Sequence, residues 1–250
     1  MGVSAPSSFA GEGIVSLWQE RRSIFVQPAL DYRIDRRRAR CGYRHASRSE
    51  PRSQAKRTFD VLGASLAMLF FAPVFITVAI AIKLTSPGPV FFTQPRYGFR
   101  NRRFRIYKFR TMYTNLGDHT GVRQTTSDDP RVTPVGRILR HTSLDELPQL
   151  INVVKGEMSL VGPRPHVPGM LAGDFLYEDL VPYYFQRHAV RPGITGLAQV
   201  SGCRGSTSDG KAAIARIDYD LDYIATASLW LDAKIIWRTV TQEFLWGNGV

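Results

Sequence analysis

Val61–Ile82, VLGASLAMLFFAPVFITVAIAI, runs for 22 residues without one charged side chain. At about 1.5 Å per residue, a straight helix over this stretch would cover roughly 33 Å, enough to cross a bilayer. Soluble core helices rarely run this long without a polar face. Pro73 lies just past the middle, where it removes a backbone hydrogen bond and crowds the preceding turn, so the helix is expected to break there. Both flanks are basic: Arg44, Arg48, Arg52, Lys56 and Arg57 precede the segment, and Lys83, Arg96, Arg100, Arg102 and Arg103 follow it. Positive charge retains loops in the cytoplasm. A straight crossing would strand one basic flank outside, whereas a helix–break–helix that enters and leaves by one face satisfies both. The expectation is therefore a re-entrant membrane helix over residues 56–84, with a cytoplasmic domain over 85–250.

On the N-terminal side of this segment, residues 1–55 mix Ser, Ala, Gly, Pro and Arg without helical or strand period, which predicts a disordered Arg-rich arm. No apolar core of a secretory signal lies in the first thirty residues. The chain of 250 residues carries a net charge of +12, a balance that points to nucleic acid, a membrane surface or a phosphorylated substrate. That charge is unevenly spread. Residues 21–57 hold 12 Lys or Arg against Asp31, Asp35 and Glu50, so most of the basic signal belongs to the arm. Cys41 and Cys203 form no paired motif, which argues against a disulfide framework or structural zinc and fits a reducing compartment.

On the C-terminal side, Ser86-Pro87-Gly88-Pro89 is a turn cluster, and Val90–Met112 reads as short strands rich in Phe, Tyr and Arg. Helices are expected over 134–155, 176–188, 211–225 and 229–246, with a Gly-rich stretch at 191–205. The fold class is mixed, mainly α with short β-strands.

Four segments carry polar groups that could do chemistry. In Ser143-Leu144-Asp145-Glu146-Leu147-Pro148, Ser-x-x-Glu has the form of a capping box, and acidic residues suit a first helical turn. Pro148 complicates that reading. It falls at N5 if Ser143 is the N-cap and at N3 if Asp145 is. Either register puts two carboxylates beside Arg137 and Arg140 at a helix start, an environment that keeps a carboxylate ionised and welcomes phosphate. In the run Arg100–Arg110, strand periodicity puts Lys108 and Arg110 on one face and Arg103 and Arg105 on the other. Such interleaved aromatics and arginines suit single-stranded nucleic acid, a diphosphate or anionic lipid, and they are also common on a plain solvated face. Gly162-Pro163-Arg164-Pro165 holds an arginine between two rigid prolines, fit for bidentate phosphate contact or simply for a turn. Gly205–Ala212 falls one residue short of a phosphate-binding loop, with Ala212 where a magnesium-binding hydroxyl belongs. The five histidines show no metal spacing.

Taken in order, these segments form a recognisable series: Lys56-Arg57-x-Phe59-Asp60, the apolar run with its central Pro, Tyr107–Met112, Leu144–Leu150, Gly156–Pro165 and Arg191–Gly196. The series resembles the bacterial sugar transferases that act as polyprenyl-phosphate phosphoglycosyl transferases of the monotopic type, over roughly residues 56–246. The tail Ser228-Leu229-Trp230-Leu231-Asp232-x-Lys234-Ile235-Ile236 looks most like undecaprenyl-phosphate glucose or galactose phosphotransferases of exopolysaccharide biosynthesis. The resemblance implies an enzyme on the cytoplasmic face of the bacterial inner membrane. It would take a nucleotide-diphosphate sugar such as UDP-hexose, pass the sugar phosphate through an aspartate, and deliver it to undecaprenyl phosphate with release of UMP. By the family pattern Asp145 is the nucleophile and a ligand of Mg²⁺, and Glu146 completes the dyad. Lys108, Arg110, Arg140 and Arg164 are the implied substrate contacts. A homodimer is left open. One departure is local: some members have Ser-Pro at the helix break, where this chain has Ala72-Pro73, losing a hydroxyl that could bond a freed carbonyl. A membrane-tethered nucleic-acid-binding protein would use the arm and the Arg100–Arg110 run but leaves Asp145 and Glu146 without a task; a structural membrane scaffold explains neither.

Overall fold

The computed structural model describes residues 54–116, 129–203, 205 and 209–246, with the side chains of 243–246 excepted. The Arg-rich arm before residue 54 lies outside the described residues. The apolar run does break at its proline. Helix α1 (Gln54–Phe70) and helix α2 (Ala72–Thr85) are bent by 60° about Phe71. Pro73 stands in the first turn of α2, where its missing N–H had no intrahelical partner to lose. No single described helix is long and apolar enough to cross a membrane; only the bent pair together reaches that length and composition.

Each half of the pair buries one stripe at helical spacing. Ala64, with Ala67 and Met68, packs on Ile106, Leu150, Val153 and Met158. Val78 and Ile82, with Val74 and Phe75, pack on Phe109 and Leu139. The remaining surface of the pair is apolar and bare, with Leu69, Phe70 and Leu84 each at least 75% exposed.

The start of α1 is pinned by charge. Lys56 Nζ lies 3.3 Å from Asp60 and 2.9 Å from Asp232. Asp60 accepts from Ser159 Oγ at 2.8 Å and from the Leu160 N–H at 3.1 Å, and Tyr223 donates to Asp232 at 2.8 Å. Arg57 donates to the carbonyls of Val153 and Val154 at 2.6 and 2.9 Å. Those oxygens lie at a helix end, where intrahelical partners run out and a cation is favoured.

After the Pro-Gly turn, β1 (Phe91–Tyr97) and β2 (Arg103–Phe109) form an antiparallel hairpin, with Phe92 opposite Lys108, Gln94 opposite Ile106 and Arg96 opposite Phe104. Arg100 and Asn101 adopt positive φ at its tip. Asn152 seals the free edge of β2: its amide accepts from the Tyr107 N–H and donates to the Arg105 carbonyl.

The helix expected over 134–155 is two helices. Thr133 caps α3 (Pro134–His141), and α4 covers Gln149–Lys155. Between them Leu144–Glu146 forms a single 3₁₀ turn. Similarly, the expected helix over 176–188 divides into α5 (Tyr177–Leu180) and a 3₁₀ segment (Tyr184–Ala189), separated at Val181-Pro182. Strand β3 (Ser159–Val161) pairs in parallel with β6 (Gly193–Thr195), while β4 (Leu171–Ala172) and β5 (Phe175–Leu176) form a minimal hairpin. Close contact of β3 with β6 depends on glycine: a Cβ on Gly193 would fall 2.1 Å from the Gly162 nitrogen. Helices α6 (Leu197–Val200), α7 (Gly210–Thr226) and α8 (Leu229–Trp246) complete a mixed, mostly helical fold with short strands. Asp209 caps α7 by accepting from the Lys211 N–H, so a carboxylate holds the position that a phosphate would take in a nucleotide loop.

Candidate active site

Pro148 decides the local geometry of the acidic pair. It is neither N3 nor N5 of a longer helix but the residue at which α4 begins. The carbonyl of Leu144 would need an N–H from residue 148 in an α-helix; proline has none, and the carbonyl accepts instead from Leu147 at 3.2 Å. Ser143, in the left-handed region at φ 54°, makes no side-chain cap hydrogen bond there, so the capping-box pattern does not act as one. Asp145 and Glu146 therefore project from a tight turn between α3 and α4, not from a helical first turn.

The turn gives the two carboxylates opposite environments. Glu146 Oε1 lies 2.6 Å from Lys108 Nζ, and its Oε2 accepts from an Arg164 terminal nitrogen at 3.0 Å. The other Arg164 terminal nitrogen also reaches Glu146 Oε1. Burial works against ionisation of Glu146, but Arg164 and Lys108 outweigh it and hold the carboxyl well below the ordinary carboxylate range. Asp145 is also buried, yet its nearest cation is Lys108 at 3.8 Å, and it accepts no hydrogen bond among the described residues. Burial pushes its pKa up, Glu146 adds to the rise, and Lys108, Arg140 and Arg164 only partly oppose it. Of the two supports expected for an ionised Asp145, Arg140 does act in that direction, by its charge, while its Nε donates to Thr111 Oγ1 at 2.9 Å. The helix terminus does not coincide with the residue, which stands in the turn upstream of it.

Four of the six residues singled out from the sequence come together directly: Lys108, Asp145, Glu146 and Arg164. Arg140 stands beside them and acts through its charge. Arg110 does not join them. It follows the last residue of β2, and its guanidinium binds the Ser86 carbonyl and hydroxyl and the Pro87 carbonyl at 2.7–2.8 Å, bracing the exit from α2.

Several supporting residues escaped the sequence reading. Arg187, fully buried, pairs with Asp220 of α7 and donates to the Arg164 carbonyl at 2.6 Å, fixing the loop that presents Arg164. Asp218, Asp220 and Asp222 are all buried within one helix. Aspartate is a poor helix former, and three in five positions is the signal that could have found this support.

Among the described residues, no three His, Cys, Asp or Glu side chains could enclose a metal. Magnesium does not require such a cage, because one or two carboxylates with substrate phosphates suffice. Asp145 fits that demand, since its oxygens are uncommitted, while Glu146 has both of its oxygens engaged.

The profile of a family described as Bacterial sugar transferase matches residues 51–245. The chain is 53% identical over 194 residues to the "Exopolysaccharide production protein PSS" of Rhizobium leguminosarum bv. phaseoli, covering 78% of this chain and 97% of that protein. It is 51% identical over 193 residues to the "Undecaprenyl-phosphate glucose phosphotransferase" of Komagataeibacter xylinus, covering 77% of this chain and 36% of the relative. It is 47% identical over 190 residues to the "UDP-glucose:undecaprenyl-phosphate glucose-1-phosphate transferase" of Escherichia coli (strain K12), covering 76% of this chain and 40% of the relative. The chain thus spans less than half the length of these last two. Every element that builds the carboxylate cluster, from α1 to α7, lies inside the matched region, and on that match the chain belongs to the bacterial sugar transferase family.

Proposed function

We propose that this protein transfers a sugar 1-phosphate from a nucleotide-diphosphate sugar, UDP-hexose in our reading, to undecaprenyl phosphate, releasing UMP as the first membrane step of exopolysaccharide assembly. The observation that carries the reading is the asymmetry of the acidic pair: Glu146 is fully spent on Lys108 and Arg164, while Asp145 beside it keeps its lone pairs. An uncommitted, buried carboxylate next to fixed cations suits nucleophilic attack on a phosphorus.

In this mechanism an Asp145 oxygen attacks the phosphorus that bears the sugar. The bond from that phosphorus to the bridging oxygen breaks, and UMP leaves with the electron pair. An oxygen of undecaprenyl phosphate then attacks the same phosphorus. The Asp145 carboxylate is released, and a lipid diphosphate-linked sugar forms. Lys108 and Arg164, held in place by Glu146, offset the charge of the incoming diphosphate, and Arg140 adds to that field. Asp145 would hold a Mg²⁺, which would supply further neutralisation of the diphosphate charge.

The bent pair α1–α2 serves the lipid acceptor. Its bare leucines, isoleucines and phenylalanines suit the acyl region of a bilayer, while its buried stripe holds the catalytic domain. In our reading both of its ends face the cytoplasm of the bacterial inner membrane, and the pair dips into one leaflet and returns. Of the Arg100–Arg110 run, Lys108 and Arg110 are engaged within the protein, and a nucleic-acid reading of its exposed arginines would leave Asp145 and Glu146 without a task. Purified full-length protein given Mg²⁺, undecaprenyl phosphate and a panel of UDP-sugars should release UMP with one sugar preferred. Release that does not depend on the lipid phosphate, or no release with any sugar, would overturn the reading.

A further inference from the structure

The hairpin face that carries Lys108 carries a second cation that neither motif nor pairing has accounted for. Residues opposite one another in the register share a face, so Phe92, Gln94 and Arg96 of β1 lie with Lys108, Ile106 and Phe104 of β2. Arg96 sits at the far end of this face from Lys108. One of its terminal nitrogens donates to Gln94 Oε1 at 2.6 Å, and the other reaches the Pro165 carbonyl at 3.4 Å. Its Nε is buried without a partner. Both acceptors are neutral, and among the described residues no carboxylate comes within ion-pair distance of this guanidinium. The charges acting on it are Arg164, which opposes its own, and Glu146, which Arg164 and Lys108 already share.

A cation taken partly out of water is normally paired, because the hydration it loses is best restored by an opposite charge. Arg96, Lys108, Arg140 and Arg164 face Asp145 and Glu146; Asp129, which also acts on Arg140, is matched by its own partner Arg131, so two positive charges are left over. Burial, with Arg164 adding to it, pushes Arg96 down to about 10, as expected of a guanidinium lacking its counter-ion. The position is fixed in advance: Gln94, itself buried, holds one side of the fork, and the Arg164-Pro165 backbone holds the other. That backbone is clamped in turn by Arg187.

We infer that Arg96 is a ligand-binding residue that, together with Arg164, forms a two-arginine seat for the diphosphate of the nucleotide donor. The doubly charged diphosphate is the missing counter-ion, and the surplus of two positive charges matches it. Planar guanidinium forks suit phosphate oxygens better than an ammonium does. In this arrangement Lys108 stays with the carboxylates where transfer occurs, and Arg96 holds the phosphates from the other end of the hairpin face. The inference rests on the donor class proposed above and adds a residue to it.

The test measures binding of UDP, inorganic pyrophosphate and uridine to full-length protein in detergent, for wild type, Arg96→Met and Arg96→Lys, with apparent Tm recorded without ligand. Arg96→Met should weaken UDP and pyrophosphate at least tenfold and leave uridine unchanged. Arg96→Lys should recover part of that loss, because it restores the charge without the fork. Ligand-free Tm should stay level or rise in Arg96→Met, since a half-buried charge with no carboxylate partner has been removed. Unchanged UDP and pyrophosphate affinity in both variants would overturn the inference while leaving the donor class standing. A fall in ligand-free Tm with the UDP-induced shift intact would also overturn it, making Arg96 a purely structural brace. Wild-type protein that binds neither UDP nor pyrophosphate would instead remove the donor class itself.

Discussion

The bent helix pair and the carboxylate cluster invert each other's chemistry. On α1 and α2 the apolar side chains face outwards, with Leu66, Phe70, Ile76 and Leu84 all more than 60% exposed. In the same fold, Asp60, Asp232, Asp145, Arg187 and Asp220 are buried. Water would reverse both arrangements, so each needs a partner that water does not supply. For the apolar surface that partner is lipid in our account. For the buried charges it is first one another, as in Lys56 with Asp60 and Asp232 or Arg187 with Asp220, and then an anionic substrate where cations outnumber carboxylates. In our reading, exposed hydrophobicity and buried charge serve one task, which is to bring a charged lipid headgroup to the carboxylate cluster.

The largest effect is expected within the cluster. Asp145→Asn should reduce turnover at least a thousandfold, or about 4 kcal/mol of barrier, because an amide is a very poor nucleophile. Steady-state UMP release measures it, and a variant retaining a tenth of wild-type rate would break the assignment. Next come two changes of similar size, one in each region. Leu69→Arg puts a charge where the account places acyl chains and should cost about 3 kcal/mol of membrane binding, shifting protein from the membrane to the soluble fraction. Lys56→Met strips the shared cation from two buried carboxylates and should cost about 3 kcal/mol of stability, seen as a lowered apparent Tm. Unchanged fractionation in the first, or unchanged Tm in the second, would show that the inversion carries little free energy.

Glu146→Gln should be milder than Asp145→Asn, about a hundredfold in kcat, since it loosens Lys108 and Arg164 but leaves the nucleophile in place. The smallest effect concerns pH. Only ionised Asp145 can attack, and its pKa is raised above 3.8, chiefly by burial. Activity should therefore fall as pH drops through a value above 3.8, not at the ordinary aspartate range. Lys108 lowers that pKa, so Lys108→Met should move the acid limb of kcat to higher pH. A limb at or below 3.8, or one that moves down in Lys108→Met, contradicts the assigned electrostatics.

What the sequence could disclose follows the range of the interactions. The break at Pro73, the short strands within Val90–Met112, and helices α7 and α8 are local consequences of proline chemistry and periodicity, and the structure has them close to where they are expected; that the strands pair as a hairpin is seen only in the fold. The turn at Leu144–Glu146 departs from the expected helix because both cap registers presuppose an α-helix. The 3₁₀ bond to the Leu144 carbonyl is what a proline four residues later leaves available. Lys108 and Glu146 stand 38 residues apart, and Arg187 and Asp220 stand 33 apart, so neither pairing is visible in any window of the chain. Arg110 shows the converse: its strand parity suggested a place beside Lys108, but the strand ends at Phe109 and the side chain turns to the Ser86-Pro87 carbonyls. The motif placed Asp145 and Glu146 together, but only the fold tells the spent carboxylate from the free one.

The central claim is that Asp145 carries the sugar phosphate covalently before the lipid receives it. Exchange of labelled UMP into UDP-sugar, with Mg²⁺ and no lipid acceptor, reads that step alone. The account predicts exchange in wild type and a hexose-phosphate adduct on Asp145 by intact-protein mass spectrometry. Both should be lost in Asp145→Asn and slowed but retained in Glu146→Gln. Full turnover with lipid but no exchange without it would mean direct transfer in a ternary complex, leaving Asp145 at most a metal ligand and the central claim wrong.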